Sequence, residues 1–179
     1  MKRKDIFLRD FNISFGGLKV GLHEYEFELS RQFFESIEYS EIEDGQLDLT
    51  FQLEKQSSLL TLYFDIQGYI VLPCDRCTEP TRVDLDIHER LLVKFSDEDF
   101  DSEEIVTLPV QAHDIQIAPH VYEFIRVNIP LKVVHEDEAD CNSEYLDNIS
   151  GIAEDQLDET DAEEDIDPRW EALKKLKKD

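Results

Sequence analysis

The stretch LTLYFDIQGYIVLPCDRCTEPTRVDLDIHERLLVKF, residues 60–95, decides the fold of this 179-residue chain. Apolar residues recur at every second position on both sides of a central Cys-x-x-Cys turn, which is the period of a strand with one buried face. Gly68 interrupts the first half, so that half predicts one long strand or two strands joined at a bend. The stretch therefore predicts two core strands joined by the turn that carries Cys74 and Cys77.

Two more alternating segments precede this stretch. One is centred on Phe27, and the other runs from Leu47 to Leu53 after Asp44-Gly45, a dipeptide typical of turns. Consecutive strands with short connections favour antiparallel pairing. The sequence therefore predicts an α+β fold, mainly β, in which an antiparallel meander forms a small barrel or sandwich with two helices.

The two predicted helices have different start signals. Ser30 is a residue type that caps helices, and Phe33 and Phe34 after it would lie on one side of a short helix. Pro119 suits the first turn of a second helix, and Pro130 would stop that helix. Both helices supply apolar faces that can pack on the sheet.

Charge divides the chain into three predicted regions. The net charge is −25, and residues 136–167 contain fifteen Asp or Glu and no Lys or Arg. We expect a β-rich body at 1–135 and an acidic linker at 136–166. The linker has too little apolar surface to offset its ordering entropy, so we predict that it is disordered. A short amphipathic segment follows at 167–179.

The C-terminal segment predicts a helix that folds when it docks. Trp170, Leu173 and Leu176 share one face at helical spacing, and Pro168 suits a first helical turn. A helix of about eleven residues is marginal in water by itself. We expect this apolar face to contact either the body of the chain or a partner protein.

The acidity of the chain bears on its partners and its location. A broad electrostatic grip on a polyanionic nucleic acid is excluded, and a basic protein is favoured. Direct RNA contact would need a local basic patch, for which the candidates are Arg76, Arg82, Arg90 and Lys94. No apolar run reaches the roughly 18 residues that span a bilayer, and the N-terminus lacks a signal-peptide core. We expect a cytoplasmic protein with no membrane contact.

The cysteines allow three interpretations. Cys74 and Cys77 could supply half of a tetrahedral metal site, which His135 and Cys141 would complete as a Cys₃His zinc set if the fold returned them to the turn. The thiols could instead be free in a purely structural turn. A thioredoxin-type redox pair is disfavoured because the setting is strand–turn–strand, and because the neighbouring carboxylates Asp75 and Glu79 would raise the thiol pKa.

Three segments together carry a resemblance to a known family. LPCDRCTEP, then NIPLKVVHEDEADC, and finally DPRWEALKKL resemble the YceD family, the large ribosomal RNA subunit accumulation proteins of bacteria and plastids. The resemblance covers roughly residues 60–141 and the C-terminal segment. The chain departs from many members in having a single downstream cysteine, Cys141. The resemblance implies a role in large-subunit ribosomal RNA accumulation and does not imply an enzyme.

Three functional hypotheses follow. The first is a non-enzymatic ribosome-biogenesis factor that binds a basic ribosomal protein or assembly factor through the Trp170 face or through Arg76 and Arg82, with ribosomal RNA associated indirectly. The second is an enzyme, such as a nuclease or hydrolase, that uses acidic residues or the histidines His88, His113 and His120, but the sequence has no catalytic motif. The third is a structural interaction module or zinc-binding protein unrelated to ribosomes.

Overall fold

The computed structural model describes residues 8–96, 105–146 and 148. Its strands are β1 Asn12–Ser14, β2 Gly21–Ser30, β3 Asp44–Lys55, β4 Leu59–Pro73, β5 Pro80–Phe95, β6 Ile105–Leu108 and β7 Asp114–Gln116. Its helices are α1 Arg31–Ser36 and α2 Ala118–Val127, and 3₁₀ turns form at Leu8–Phe11 and Glu138–Asp140. The predicted C-terminal helix and most of the predicted linker lie outside the described residues.

Five strands form the main sheet in the order β2-β3-β4-β5-β6. Pairs β2–β3, β3–β4 and β4–β5 are antiparallel, as a meander requires, while β6 pairs parallel to β5. Strands β1 and β7 form a separate antiparallel pair. The α+β, mainly β class is confirmed. Within the described part of the chain, however, the main sheet is open and does not close into a barrel.

Strand β4 is one continuous strand, so the predicted alternative of two strands bent at Gly68 is wrong. Gly68 has φ +143°, and a Cβ there would lie 2.3 Å from the carbonyl oxygen of Gln46. The prediction of a turn at Asp44-Gly45 is also wrong, because both residues already pair with β4. A Cβ on Gly45 would lie 2.9 Å from the carbonyl oxygen of Tyr69, so close backbone approach explains this glycine.

The hydrophobic core lies on one face of the main sheet. Phe51 of β3 is opposite Phe64 of β4, with ring centroids 5.1 Å apart. Phe124 of α2 meets Phe64 edge-on at 5.0 Å, which places α2 on this face. Val121 and Ile125 of the same helix are completely buried. The opposite face of the sheet is exposed and polar, as the period-2 alternation predicts.

The helices follow the sequence signals with one difference. Helix α1 begins directly after Ser30, but the Ser30 side chain makes no capping hydrogen bond. Helix α2 has Pro119 in its first turn and ends at Val127, ahead of Pro130. Among the described residues, no helix is both long enough and apolar enough to cross a membrane.

Candidate metal centre

The cysteine turn, residues 74–79, connects β4 to β5. The Thr78 N–H donates to the Cys74 carbonyl at 2.8 Å, and the Cys74 N–H donates to the Glu79 carbonyl at 2.8 Å. Thr78 adopts φ +63°, a conformation that costs a β-branched residue about 1–2 kcal/mol. Its hydroxyl donates to the Cys77 carbonyl at 2.7 Å. The turn is therefore tightly bonded at both ends and strained just after Cys77.

Asp75 ties the cysteine turn to the segment after α2. Its N–H donates to the Val133 carbonyl at 2.7 Å, and its carboxylate accepts the Val133 N–H at 2.7 Å. This reciprocal pair brings His135, two residues further on, back to the turn. The sequence alone did not indicate this role for Asp75. Asp side chains accept backbone N–H groups in many turns, but nothing in the sequence identifies Val133 as the donor.

The side chains of Cys74, Cys77, His135 and Cys141 converge, and we call them the four-donor cluster. Their ligand atoms all lie within 4.8 Å of one another. The Nδ1 atom of His135 is 3.6 Å from the Sγ atoms of both Cys77 and Cys141. A sulfur and a nitrogen bound to one tetrahedral zinc ion are about 3.6 Å apart, given the usual bond lengths. All three thiols are buried and free of disulfides.

The second nitrogen of His135 decides how its ring faces the thiols. Nε2 lies 3.3 Å from the carbonyl oxygen of Pro80. Because a carbonyl oxygen only accepts hydrogen bonds, Nε2 carries the proton in the neutral ring. Nδ1 then presents its lone pair to the thiols. A histidine that binds a metal is normally held in this way, by a second hydrogen bond from its other nitrogen.

The thiols of the four-donor cluster differ in acidity. Burial raises the pKa of Cys74, but backbone N–H groups, those of Arg76 and Cys77 foremost, outweigh burial and lower its pKa to about 6. The Arg76 N–H lies 3.4 Å from the Cys74 sulfur. Burial, and then hydrogen bonding to Cys77, raises the pKa of Cys141 to about 11. The expectation that Asp75 and Glu79 would raise the thiol pKa is wrong for Cys74, because the backbone N–H groups around its sulfur lower its pKa.

The chain remains packed against the cysteine turn beyond His135. Cys141 follows the 3₁₀ turn Glu138–Asp140 and is buried with Cys74 and Cys77, and Leu146 packs against the three cysteines. The Asn142 side chain donates to the Glu79 carboxylate at 3.1 Å. The predicted boundary between body and linker thus falls between two members of the cluster. The division into three regions stays a prediction.

The structure places the predicted partner-binding residues in different settings. Arg82 is exposed on β5, where it stacks 4.0 Å over the Tyr69 ring and pairs with Asp84 at 2.7 Å. Arg76 lies half-buried between the two cysteines of the turn. Asp84 and Asp86 lie between Arg82 and Arg90 on the exposed face of β5, so its positive charge is interrupted. Trp170, Leu173 and Leu176 lie outside the described residues.

Comparison with known families decides what this chain is related to. Residues 62–177 match the family described as large ribosomal RNA subunit accumulation protein YceD, and the match includes every member of the four-donor cluster. The chain belongs to the YceD family. Searches of curated proteins and of solved structures found no match. The name of the YceD family implies a role in the accumulation of the large ribosomal RNA subunit, as the sequence resemblance implied.

Proposed function

We propose that this YceD-family chain supports large-subunit ribosomal RNA accumulation as a non-catalytic binding protein, and that a zinc ion in the four-donor cluster organises its recognition surface. The observation that carries the proposal is the convergence of three buried thiols on a histidine nitrogen whose lone pair faces them. Such a set is closed, with four protein donors and no position left for substrate, which is typical of structural zinc.

The chemistry of the donors favours zinc. Thiolate sulfur and imidazole nitrogen are soft or intermediate ligands, and hard cations such as Mg²⁺ prefer oxygen. The cation would offset the cost of ionising several buried thiols together, Cys141 above all. It would also fasten the β4–β5 hairpin to the segment after α2, adding to the hydrogen bonds that Asp75, Glu79 and Pro80 already make with that segment.

Metal analysis of the intact chain tests the zinc site. We expect about one zinc per chain, lost in Cys77→Ser and in His135→Asn. His113→Asn is the matched control, because this histidine lies outside the cluster, and it should keep the metal. The proposal also predicts that Co²⁺, added to protein whose metal has been removed with a chelator, gives the absorption spectrum of a tetrahedral thiolate complex. A wild-type chain that binds neither ion would contradict it.

Binding fits the described surface better than catalysis does. Among the described residues, the closest histidine–carboxylate contact is His88 Nδ1 to Asp65 Oδ1 at 2.5 Å, and it lies on the exposed face of the sheet. General acid–base catalysis needs such a pair beside a site that orients a substrate. The strong net charge favours a basic ribosomal protein or assembly factor as the direct partner, with ribosomal RNA associated through it.

The partner proposal is tested by retention of lysate proteins on the full-length chain at increasing salt. A basic large-subunit protein should be retained and then released as salt screens the attraction. Trp170→Ala combined with Leu173→Ala and Leu176→Ala should reduce retention at every salt concentration, because it removes apolar contact. Arg76→Gln with Arg82→Gln tests the second predicted surface. If the wild type and both variants retain the basic protein equally well, neither the Trp170 face nor the Arg76–Arg82 surface is the contact.

A further inference from the structure

Two clefts lie beside each other between helix α2 and the cysteine turn. The first, about 360 Å³ in volume, is lined from α2 by Tyr122 and Val127. The second, about 520 Å³, extends to Pro80 at the start of β5. Glu41 lines both clefts. Because they share this residue, the two clefts are neighbours, and together we call them the Glu41 groove.

The floor of the Glu41 groove is aromatic and apolar. Tyr39 is 60% exposed, and its ring meets that of Tyr122 edge-on at 5.4 Å. At the other end, Pro73 and Pro80 contribute from the two sides of the cysteine turn. Exposed rings of this kind offer flat surfaces on which the aliphatic part of a long polar side chain packs.

The rim of the Glu41 groove is acidic. Its exposed carboxylates are Glu41, Glu43, Asp44 and Glu123. Two arginines also line the groove, and both already pair with a carboxylate. Arg126 pairs with Glu41, and Arg31 pairs with Glu35 at 2.9 Å. Acidic residues therefore outnumber basic ones around the apolar floor.

The rim is held in place before any partner binds. The Tyr122 hydroxyl accepts the Glu41 N–H at 3.0 Å and lies 3.4 Å from the Tyr39 carbonyl, to which it donates. Ile42, between the rim residues, is buried in the core, and Asp44 begins β3. A preformed rim reduces the entropy lost on association, which favours binding of a short segment.

We propose that the Glu41 groove binds an extended basic segment of a partner protein. Its Lys or Arg stems lie against Tyr39 and the two prolines. Its cationic groups pair with Glu43 and Asp44 and compete with Arg126 for Glu41. Carboxylates pair strongly with guanidinium groups, and an exposed tyrosine face adds a cation–π contact. The proposal rests on the proposed function in taking the partner as basic, and it adds where that partner binds.

Charge-neutralising variants of the intact chain test the groove. The probe is a short fluorescein-labelled peptide of alternating Arg and Ala, measured by fluorescence anisotropy. Glu41→Gln with Glu43→Gln and Asp44→Asn should weaken binding about tenfold. The matched control is Glu24→Gln with Glu26→Gln and Glu28→Gln, which removes the same charge from exposed positions on β2. That control should change affinity by about twofold or less. Equal losses in both variants would mean diffuse attraction and overturn the proposal.

An uncharged substitution tests the floor of the groove. Tyr39→Ala should weaken peptide binding about threefold without changing net charge. Because Tyr39 is exposed, its removal should leave the circular dichroism melting curve nearly unchanged. Unchanged peptide affinity in this variant would overturn the proposal.

The single tryptophan of the chain, Trp170, reports on a competing occupant. Its emission is recorded without peptide in the wild type and in the Glu41→Gln, Glu43→Gln, Asp44→Asn variant, which we call the groove variant. Identical spectra support a groove that is open to a partner. A shift in the variant would mean that the chain's own C-terminal segment occupies the groove, and this would overturn the proposal.

The salt-graded retention assay separates failure of the groove from failure of the proposed function. If the wild type retains a basic large-subunit protein and the groove variant loses it, both proposals gain support. If the Glu41/Glu43/Asp44 variant and the Glu24/Glu26/Glu28 control lose the retained protein equally, the proposed function stands and the groove proposal fails. If the wild type retains no such protein, the proposed function fails too.

Discussion

The main sheet and the four-donor cluster are stabilised in different ways. The sheet buries a continuous layer of large apolar side chains, with Phe51 and Phe64 completely covered. In the described part of the chain, the apolar packing of the four-donor cluster consists of its three cysteines with Val134 and Leu146 against them. Burial of apolar area contributes about 25 cal/mol per Å², so the sheet has a large reserve of stability that the cluster lacks. The cluster therefore depends on directional contacts, and loss of one should open it while the sheet stays folded.

The largest expected effect is in the sheet. Gly68→Ala should lower the free energy of unfolding by about 3 kcal/mol, because the new Cβ would collide with the Gln46 carbonyl at an unfavourable φ. Gly17→Ala is the control, since a Cβ there meets nothing within 4 Å, and it should change stability by about 0.5 kcal/mol or less. Urea unfolding of both variants measures the difference. Similar costs would show that β4 can move away from β3 at Gly68.

A smaller effect is expected where the cysteine turn meets the segment after α2. Asp75→Ala removes the acceptor of the Val133 N–H and should cost about 1–2 kcal/mol. Amide exchange at Val133 should accelerate, while exchange at Leu62 in β4 should not. Asp48→Ala, an exposed position on β3, is the control. Faster exchange at both amides in Asp75→Ala would mean that the cluster and the sheet open together.

The next change should stabilise the turn. Thr78→Gly relieves the left-handed conformation after Cys77 and should raise stability by up to about 1 kcal/mol, less the lost hydroxyl bond to the Cys77 carbonyl. Thermal melting of the full chain measures this shift. A lower melting temperature would show that the hydroxyl bond outweighs the backbone strain.

The smallest effect is a pH dependence on the exposed face of the sheet. The hydrogen bond to Asp65, and then the charge of Asp86, raise the pKa of His88 above its ordinary 6.5. A raised pKa in the folded state stabilises the fold below the ordinary value, and this contribution is lost as pH rises through the folded pKa. Asp65→Asn should lower the His88 pKa in an NMR titration. An unchanged titration would exclude Asp65 as the cause.

The strands could be predicted from the sequence because one face of each is buried, and this imposes a period of two from Leu47 to Val93. The parallel pairing of β6 with β5 could not be predicted, since nothing in residues 105–108 indicates which strand they pair with. The members of the four-donor cluster were named from residue type. Their convergence was not predictable, because it depends on the Asp75–Val133 pair between segments remote in sequence. The turn predicted at Asp44-Gly45 failed because close packing, rather than a turn, requires the glycine.

The contact between Cys77 and His135 spans 58 positions of the chain. A bond that closes a loop of this size removes chain entropy from the unfolded state worth about 4 kcal/mol. The β4–β5 hairpin is local, whereas the contact of His135 with the turn is remote in sequence, so we expect the hairpin to form first. Occupancy of the proposed zinc site would then report on folding, because an ion held by all four donors requires that the turn, His135 and Cys141 have come together.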